Sequence, residues 1–353
     1  MLIAVDRLLS LVGEIFVAAG CSPDEAKRVA EGLVDANLTG HDSHGVGRVP
    51  RYVDWLQSGE VDAGRSIEVV SRSGALAVVD GRYGFGATVG RQAVELGIAR
   101  ALEDGTAIVA LRHAGHLGRI GQWAELALES GLVSIHIVNV AGSVLVAPFG
   151  GVDRRFSTAP IAFGFPVEGE PPVVLDFATS AVAEGKVMVA SNGGKPVPPG
   201  SLIEPDGRLS ADPAALYGPL EGTTARDSRN GHGAIRAMGD HKGSGLALMC
   251  ELLGGVLAGS GTSGPDTKRF ANGMLSIYMA PSAFGSAAEM AAETRKFVDF
   301  VRSARPATEN EAVQLPGDPE RRVRAEREAQ GIPLSGGIWT SITETAAKLG
   351  VSV

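Results

Sequence analysis

Two short strings hold most of the residues able to move a proton. In GHDSHGVGRVPRY, residues 40–52, His41, Ser43, His44 and Arg48 stand close together. An imidazole beside a guanidinium suits a 2-keto acid. One group protonates the carbonyl oxygen while hydride reaches carbon, and the planar fork of the other holds the carboxylate in register. If the turn continues helically, spacings of three and four place His41, His44 and Arg48 on one side. The same string also reads as a capped helix end carrying a surface His and Arg.

The second string, RHAGHLGRIG at 112–121, offers His113 and His116 between Arg112 and Arg119. Either ring could be a second proton-transfer group, or meet the amide or phosphate of a cofactor. Taken together, His41, His44, His113 and His116 could instead supply four nitrogens to zinc in a metal-assisted lyase or hydrolase. Closed zinc sites usually recruit Cys, and catalytic ones need an open position with a base beside it, so no metal is expected. Asp176, near the end of the apolar run VVLDFATS at 173–180, is a candidate to orient His44 and support its imidazolium. It could equally cap a following helix at 178–186. Lys242 in HKGSG, 241–245, sits in a glycine turn at a helix start, the surroundings of a phosphate. GSGTSG, 259–264, matches the Gly-x-Gly-x-x-Gly spacing, yet it follows an apolar helix instead of a strand. No other segment has that pattern with an acid about twenty residues beyond. A nicotinamide cofactor would therefore bind without a Rossmann arrangement.

Helices and strands alternate around these strings, the pattern of an α/β fold. Ser22-Pro23-Asp24-Glu25 starts a helix that runs to about Leu38 and delivers the chain into the first string. Its apolar face is Ala26, Val29, Ala30, Leu33 and Val34. Strands are expected at 75–79, 107–111, 133–138 and 274–279 and, fully buried, at 173–180. Helices are expected after Gly121 to Glu129 and at 88–102, 239–259, 287–302 and 318–330. Gly254 and Gly255 should let the apolar helix approach a neighbour closely. Residues 206–239 read as a surface excursion or cover loop, and the charged segment 315–334 as a strap folded back on the first domain.

A chain of 353 residues with 44% apolar content can bury a core without disulfide or metal. Its formal charge of -8 and the lack of a Lys and Arg run make nucleic acid an unexpected partner. An anionic substrate then needs its own cluster of cations. Two cysteines, Cys21 and Cys250, and a start without a basic leader point to the cytoplasm. No apolar run is long enough for a bilayer, so no membrane is expected.

In this order, GHDSHGVGRVPRYVDWLQSG, HAGHLGRIGQWAE, APFGG, STAPIAFGFP, VVLDFATSAVAEGK, PVPPGSLI, HKGSGLALMCELLGG and GIPLSGG resemble the second type of malate/L-lactate dehydrogenase, over about residues 5–350. PVPPGSLI, VSIHIV and GIPLSGGIW are most similar to its bacterial hydroxycarboxylate dehydrogenase branch. The resemblance implies a non-Rossmann α/β fold. A largely antiparallel sheet belongs to the cofactor domain, 76–303, with 117–185 a candidate subdomain, and a discontinuous helical domain, 1–75 plus 304–353, is completed by the C-terminus. It further implies a homodimer that interconverts small 2-hydroxy and 2-keto acids with NAD or NADP, NAD being favoured. Reduction of a cyclic imine carboxylate is the alternative within the family. By resemblance Ser43, His44 and Asp176 match the proton relay, with His44 the acid in reduction and the base in oxidation. Arg48 matches the substrate carboxylate binder, and His116 lines the same cleft. Thr158, Pro160, Thr179, Ser180, Lys186 and Lys242 fall in strings that line the cofactor cleft. Two positions depart from the family pattern: Ala159 stands where Gly-Thr-Asn-Pro has Asn, and Ser244 where Lys-Gly-Tyr-Gly has its aromatic residue.

Overall fold

In the computed structural model, which describes every residue except 192–195, 220–227, 229, 265–266, 268 and 310, the larger apolar clusters divide the elements into three groups. The first group joins the two ends of the chain. Helix α1 (Val5–Ala18) turns Leu8, Leu11, Val12, Ile15 and Phe16 inward, against Ala26, Val29, Ala30, Leu33 and Val34 of α2 (Pro23–Leu38). Both faces follow the three-and-four spacing of a helix buried on one side. Ser22 Oγ accepts the Glu25 N–H at 3.3 Å at the start of α2, and Pro23 occupies the first turn, where its missing N–H removes no helical bond. Helix α3 (Val49–Ser58) adds Tyr52 and Val53 to this core. From the far end of the sequence, β12 (Ile332–Pro333) pairs antiparallel with β1 (Leu2–Ile3), and α11 (Gly336–Lys348) contributes Ile342 and Ala346.

The second group is a seven-stranded sheet. Strands β2 (Glu68–Ser73), β3 (Leu76–Asp80), β4 (Thr106–Ala114), β5 (Val133–Ala141), β6 (Pro160–Phe165), β7 (Val173–Ala178) and β11 (Ala271–Met279) lie in the order β2-β3-β4-β11-β5-β6-β7. Neighbours run antiparallel except β3 and β4, which are parallel and joined by helix α4 (Gly86–Asp104). Gly105, in the left-handed region, ends α4. Helices α4 and α5 (Gly121–Leu128) pack on Val79, Val109, Leu111, Val138 and Met274. The apolar segment expected as one long helix is instead α8 (His241–Cys250) continued by a π-helical turn, Glu251–Leu257, which lies on β5 and β11. A Cβ on Gly254 would stand 2.7 Å from the Asn139 nitrogen, and one on Gly255 2.7 Å from the Gly261 oxygen, so only glycines permit this approach.

Two expectations fail around β7. It is an edge strand with mostly half-buried side chains, its outer N–H at Val174 donating to the Pro316 carbonyl at 3.1 Å. The helix after it starts only at Glu184, as α6 (Glu184–Ser191), because residues between Thr179 and Ala183 are spent on turns and a bridge to Ala237.

The third group is a small lobe. Val146, Val182, Val187, Leu202, Leu216 and Ile235 bring together α6, α7 (Ala214–Tyr217) and a three-stranded sheet of β8 (Leu202–Ile203), β9 (Leu209–Ser210) and β10 (Ala234–Ile235). The described parts of 206–239 are therefore not a mere surface excursion, since they supply Leu216, Tyr217 and Ile235 to a core; residues 220–227 and 229 lie outside the described set. Helix α9 (Ala287–Arg302) follows, and α10 (Asp318–Gln330) lies along α2, where Arg324 pairs with Asp35. Among the described residues no helix is long and apolar enough to cross a membrane. Both cysteines are free and buried.

Candidate active site

The chain does not continue helically from α2 into the first histidine string. Asp42–His44 and Val46–Arg48 form two 3₁₀ turns, separated by Gly45 in extended backbone. His41, His44 and Arg48 consequently do not share one face. His41 turns outward, its Nε2 3.5 Å from Glu320 Oε1 on α10. His44 faces inward, its Nδ1 3.0 Å from Ser43 Oγ, and its ring stacks on His116 with centroids 5.5 Å apart and planes at 13°. The Tyr52 hydroxyl, on α3, lies 2.5 Å from His116 Nδ1. Arg48 Nε donates to the Ser43 carbonyl at 2.6 Å, and its terminal amines meet no hydrogen-bond or ion-pair partner among the described residues.

Burial, followed by the nearby charge of Arg48, holds both imidazoles well below the ordinary histidine range. At neutral pH they stack as neutral rings. Burial pushes the Tyr52 hydroxyl up to about 12, so it stays protonated while hydrogen-bonded to His116 Nδ1. Tyr52 is the member of this group that the sequence reading passes over. Its signal is the spacing of Arg48, at the cap of α3, from Tyr52 within it, which puts an aromatic hydroxyl about one turn from the guanidinium.

Asp176 does not orient His44. Its carboxylate accepts the Gly121 N–H at 2.7 Å, at the positive end of α5. Burial raises its pKa, against the pull of His41, the Gly121 N–H and Arg119. Arg119 is fully buried and bridges Asp35, at 3.0 Å, and Glu125, so it fastens α5 to α2. His113 points elsewhere as well, with Nδ1 3.1 Å from Asp80 and its ring stacked on Tyr83. The four-histidine zinc arrangement is thus not assembled, and no group of three His, Cys, Asp or Glu residues gathers as a metal site among the described residues.

The strings expected at the cofactor form one seam. Thr179 donates its N–H and Oγ1 to the Thr158 carbonyl at 3.1 and 3.3 Å, and Pro160 opens β6 opposite Ala178. Ser180 Oγ donates to the Val182 carbonyl at 2.9 Å. The Met238 N–H donates to the Thr179 carbonyl at 2.9 Å, while Gly243 is so close that a Cβ would stand 2.3 Å from the Met238 oxygen. The chain then reaches α6, where a Cβ on Gly185 would be 2.4 Å from the Ser43 Cβ. Lys186 and Lys242 are exposed, with no hydrogen bond or ion pair among the described residues. Ala159 is buried in the seam, and Ser244 Oγ accepts the Phe149 N–H at 2.9 Å.

The malate/L-lactate dehydrogenase family matches residues 3–343. The chain belongs to that family. Hydroxycarboxylate dehydrogenase B of Escherichia coli K12 is 40% identical over 350 residues, which are 98% of this chain and 93% of that relative. A solved Escherichia coli chain superposes with a TM-score of 0.92 at 38% identity, covering 100% of this chain and 96% of its own length. The Δ1-piperideine-2-carboxylate reductase of Pseudomonas syringae superposes with a TM-score of 0.82 at 31% identity, covering 98% of this chain and 100% of its own. Membership of the malate/L-lactate dehydrogenase family makes this protein an oxidoreductase of the dehydrogenase kind.

Proposed function

We propose that this malate/L-lactate dehydrogenase family member interconverts a small 2-hydroxy acid and its 2-keto acid, with His44 as acid and base and Arg48 as holder of the substrate carboxylate. The observation that carries the reading is a guanidinium fork, unpaired among the described residues, placed beside an imidazole whose Nδ1 is already occupied by Ser43. In the tautomer that keeps its proton on Nδ1 and donates it to the Ser43 Oγ, the proton-exchanging atom is Nε2. A bound nicotinamide supplies or accepts the hydride at the 2-carbon. In the free enzyme Arg48 disfavours a charged His44. A carboxylate seated on Arg48 offsets that charge and raises the proton affinity of the ring, so substrate binding loads the acid that reduction needs. In oxidation the neutral ring takes the hydroxyl proton. His116, held at Nδ1 by Tyr52, offers its Nε2 side as a donor to the same oxygen.

The seam of Thr158, Pro160, Thr179 and Ser180 suits the cofactor because it ends against Ser43, and Lys186 and Lys242 bring exposed cations to hold its phosphates. We read the cofactor as NAD in preference to NADP, following the family resemblance. The strand order supports a non-Rossmann cofactor domain at 76–303, with 117–185 a subdomain of it, and the shared core of the two chain ends supports a helical domain of 1–75 plus 304–353. Exposed Phe149, Leu248, Met249, Leu252, Val256 and Leu257 support a homodimer, and the free cysteines a reducing cytoplasm. Asp176 serves α5 and not the relay. Reduction of a cyclic imine carboxylate is the second reading, favoured by the likeness to the Pseudomonas syringae reductase; it would use the same two residues.

The test is a panel of 2-keto acids and cyclic imines with both reduced cofactors, on the wild type and His44→Ala. Turnover of at least one 2-keto acid that vanishes in a well-folded His44→Ala supports the assignment. Unchanged turnover in that variant overturns it.

A further inference from the structure

The turn that carries His44 has little regular structure to hold it, being two short 3₁₀ segments joined at Gly45. Short 3₁₀ turns have poor hydrogen-bond geometry and do not fix a side chain by themselves. The brace comes from two residues outside the turn. Asn37, at the end of α2 and 1% exposed, spends both ends of its amide on the turn. Its Nδ2 donates to Asp42 Oδ1 at 2.6 Å, and its Oδ1 accepts the Val46 N–H at 2.8 Å. The amide therefore spans Ser43 and His44, gripping the chain on each side of them. Gly45 is necessary to that grip, since a Cβ there would stand 2.2 Å from Asn37 Oδ1.

Arg327, on α10 near the other end of the sequence, closes the brace. Its Nη1 and Nη2 reach Asp42 Oδ1 and Oδ2 at 2.6 and 3.1 Å, and Nη1 also donates to the Asn37 carbonyl. A fork on both carboxylate oxygens fixes an orientation as well as a distance, which a lysine could not do. One turn earlier on the same helix Arg324 pairs with Asp35 and leaves the 42–46 turn untouched.

We infer that Asn37 and Arg327 are positioning residues, a bracket from α2 and the C-terminal helix α10 that holds the Asp42–Val46 turn so that His44 meets the substrate held by Arg48. The inference rests on the assignment of His44 as acid and base. It gives α10 a task beyond covering α2, and it explains why a charged surface helix should matter to turnover. A misplacement of the imidazole by about 1 Å is enough to cost on the order of 100-fold in rate.

The experiment compares Arg327→Ala, Asp42→Asn, their combination, Arg327→Lys and Arg324→Ala, reading kcat and KM with a 2-keto acid, the primary isotope effect with deuterated reduced cofactor, and Tm. Arg327→Ala and Asp42→Asn should each lower kcat about 10–100-fold with a more fully expressed isotope effect, and KM for the cofactor should change little. The double variant should lose less than the two singles added together, because both break the Arg327–Asp42 pair. Arg327→Lys should recover part of the loss. Arg324→Ala, which removes a neighbouring ion pair on the same helix, should lower Tm comparably and leave kcat alone. If Arg327→Ala does not fold, the near-isosteric Asp42→Asn decides alone. A kcat within about twofold of wild type in folded Arg327→Ala or Asp42→Asn overturns the inference, as does an equal fall in Arg324→Ala. Retained activity in His44→Ala would instead strike the underlying assignment, so the two failures are distinguishable.

Discussion

His136 offers the sharpest quantitative test of the fold around the site. It lies in the middle of β5 with no exposed surface, its Nδ1 2.9 Å from Ser276 Oγ and its Nε2 3.1 Å from Ser134 Oγ. Two hydroxyls satisfy a neutral imidazole, one giving and one taking a proton, but they supply no negative charge for an imidazolium. Burial accordingly lowers its pKa from 6.5 to about 3. A folded-state value below the unfolded one means that the unfolded chain takes up the proton first as pH falls. The contribution of this residue to stability is complete above 6.5 and drains away on the acid side, down to about 3. At about pH 5 the folded ring is still neutral, so the loss is fixed by titration of the unfolded chain and amounts to about 2 kcal/mol. Guanidinium unfolding at about pH 7.5 and pH 5 should be measured on the wild type and on His136→Gln, whose amide keeps a donor and an acceptor near the serines but does not titrate. The wild type should lose about 2 kcal/mol more than the variant on acidification, the other histidines and carboxylates cancelling in the comparison. Parallel losses, within about 0.5 kcal/mol, would show that the ring is not held neutral between Ser134 and Ser276.

Two substitutions test the site itself. Tyr52→Phe removes the hydroxyl 2.5 Å from His116 Nδ1 and leaves that nitrogen unpaired in the cleft; kcat/KM should fall about 5–30-fold, the worth of about 1–2 kcal/mol, and a change of less than about twofold would remove Tyr52 from the machinery. Gly185→Ala forces a methyl to within 2.4 Å of the Ser43 Cβ, so the His44 turn must shift; activity should drop at least about tenfold while Tm falls only modestly, and a fully active Gly185→Ala would mean that α6 does not abut the turn.

What the sequence discloses about this protein depends on whether the cause is local. The start of α2 is local: a hydroxyl, a proline and a glutamate in four residues determine it, and the Ser22 bond to Glu25 is found. Helices α9 and α10 likewise run over 287–302 and 318–330, as expected. The period of Leu8, Leu11, Val12, Ile15 and Phe16 is equally local and marks α1, a helix not among those expected from the sequence. Strand β6 is hidden because STAPIAFGFP looks like a glycine and proline turn; only its place between β5 and β7 makes it a strand. The residue types of the site were visible as strings. Their partners were not, because those partners lie far away in sequence. Asp176 meets Gly121 and not His44, and nothing local to VVLDFATS could say so.

Arg48 illustrates why such a site must be assembled from separate elements. A chain of formal charge -8 repels an anionic substrate unless it concentrates cations where the chemistry occurs. Several arginines on this surface are neutralised by acids, as with Arg327 on Asp42, Arg324 on Asp35 and Arg302 on Glu170. Among the described residues Arg48 keeps its fork open: its Nε is taken by the Ser43 carbonyl, and the Glu184 carboxylate of α6 acts on it through its charge without forming an ion pair. Burial first, and then the same open charge, depress His44, and a substrate carboxylate relieves the second of these. A local pairing of Arg48 with an acid would have made the helical domain more comfortable and removed both the binding energy and the proton-loading step. Among the described residues, keeping that fork free of an ion pair is therefore where stability has yielded to function, and the bracket of Asn37 and Arg327 supplies from a distance the rigidity that Arg48 cannot lend.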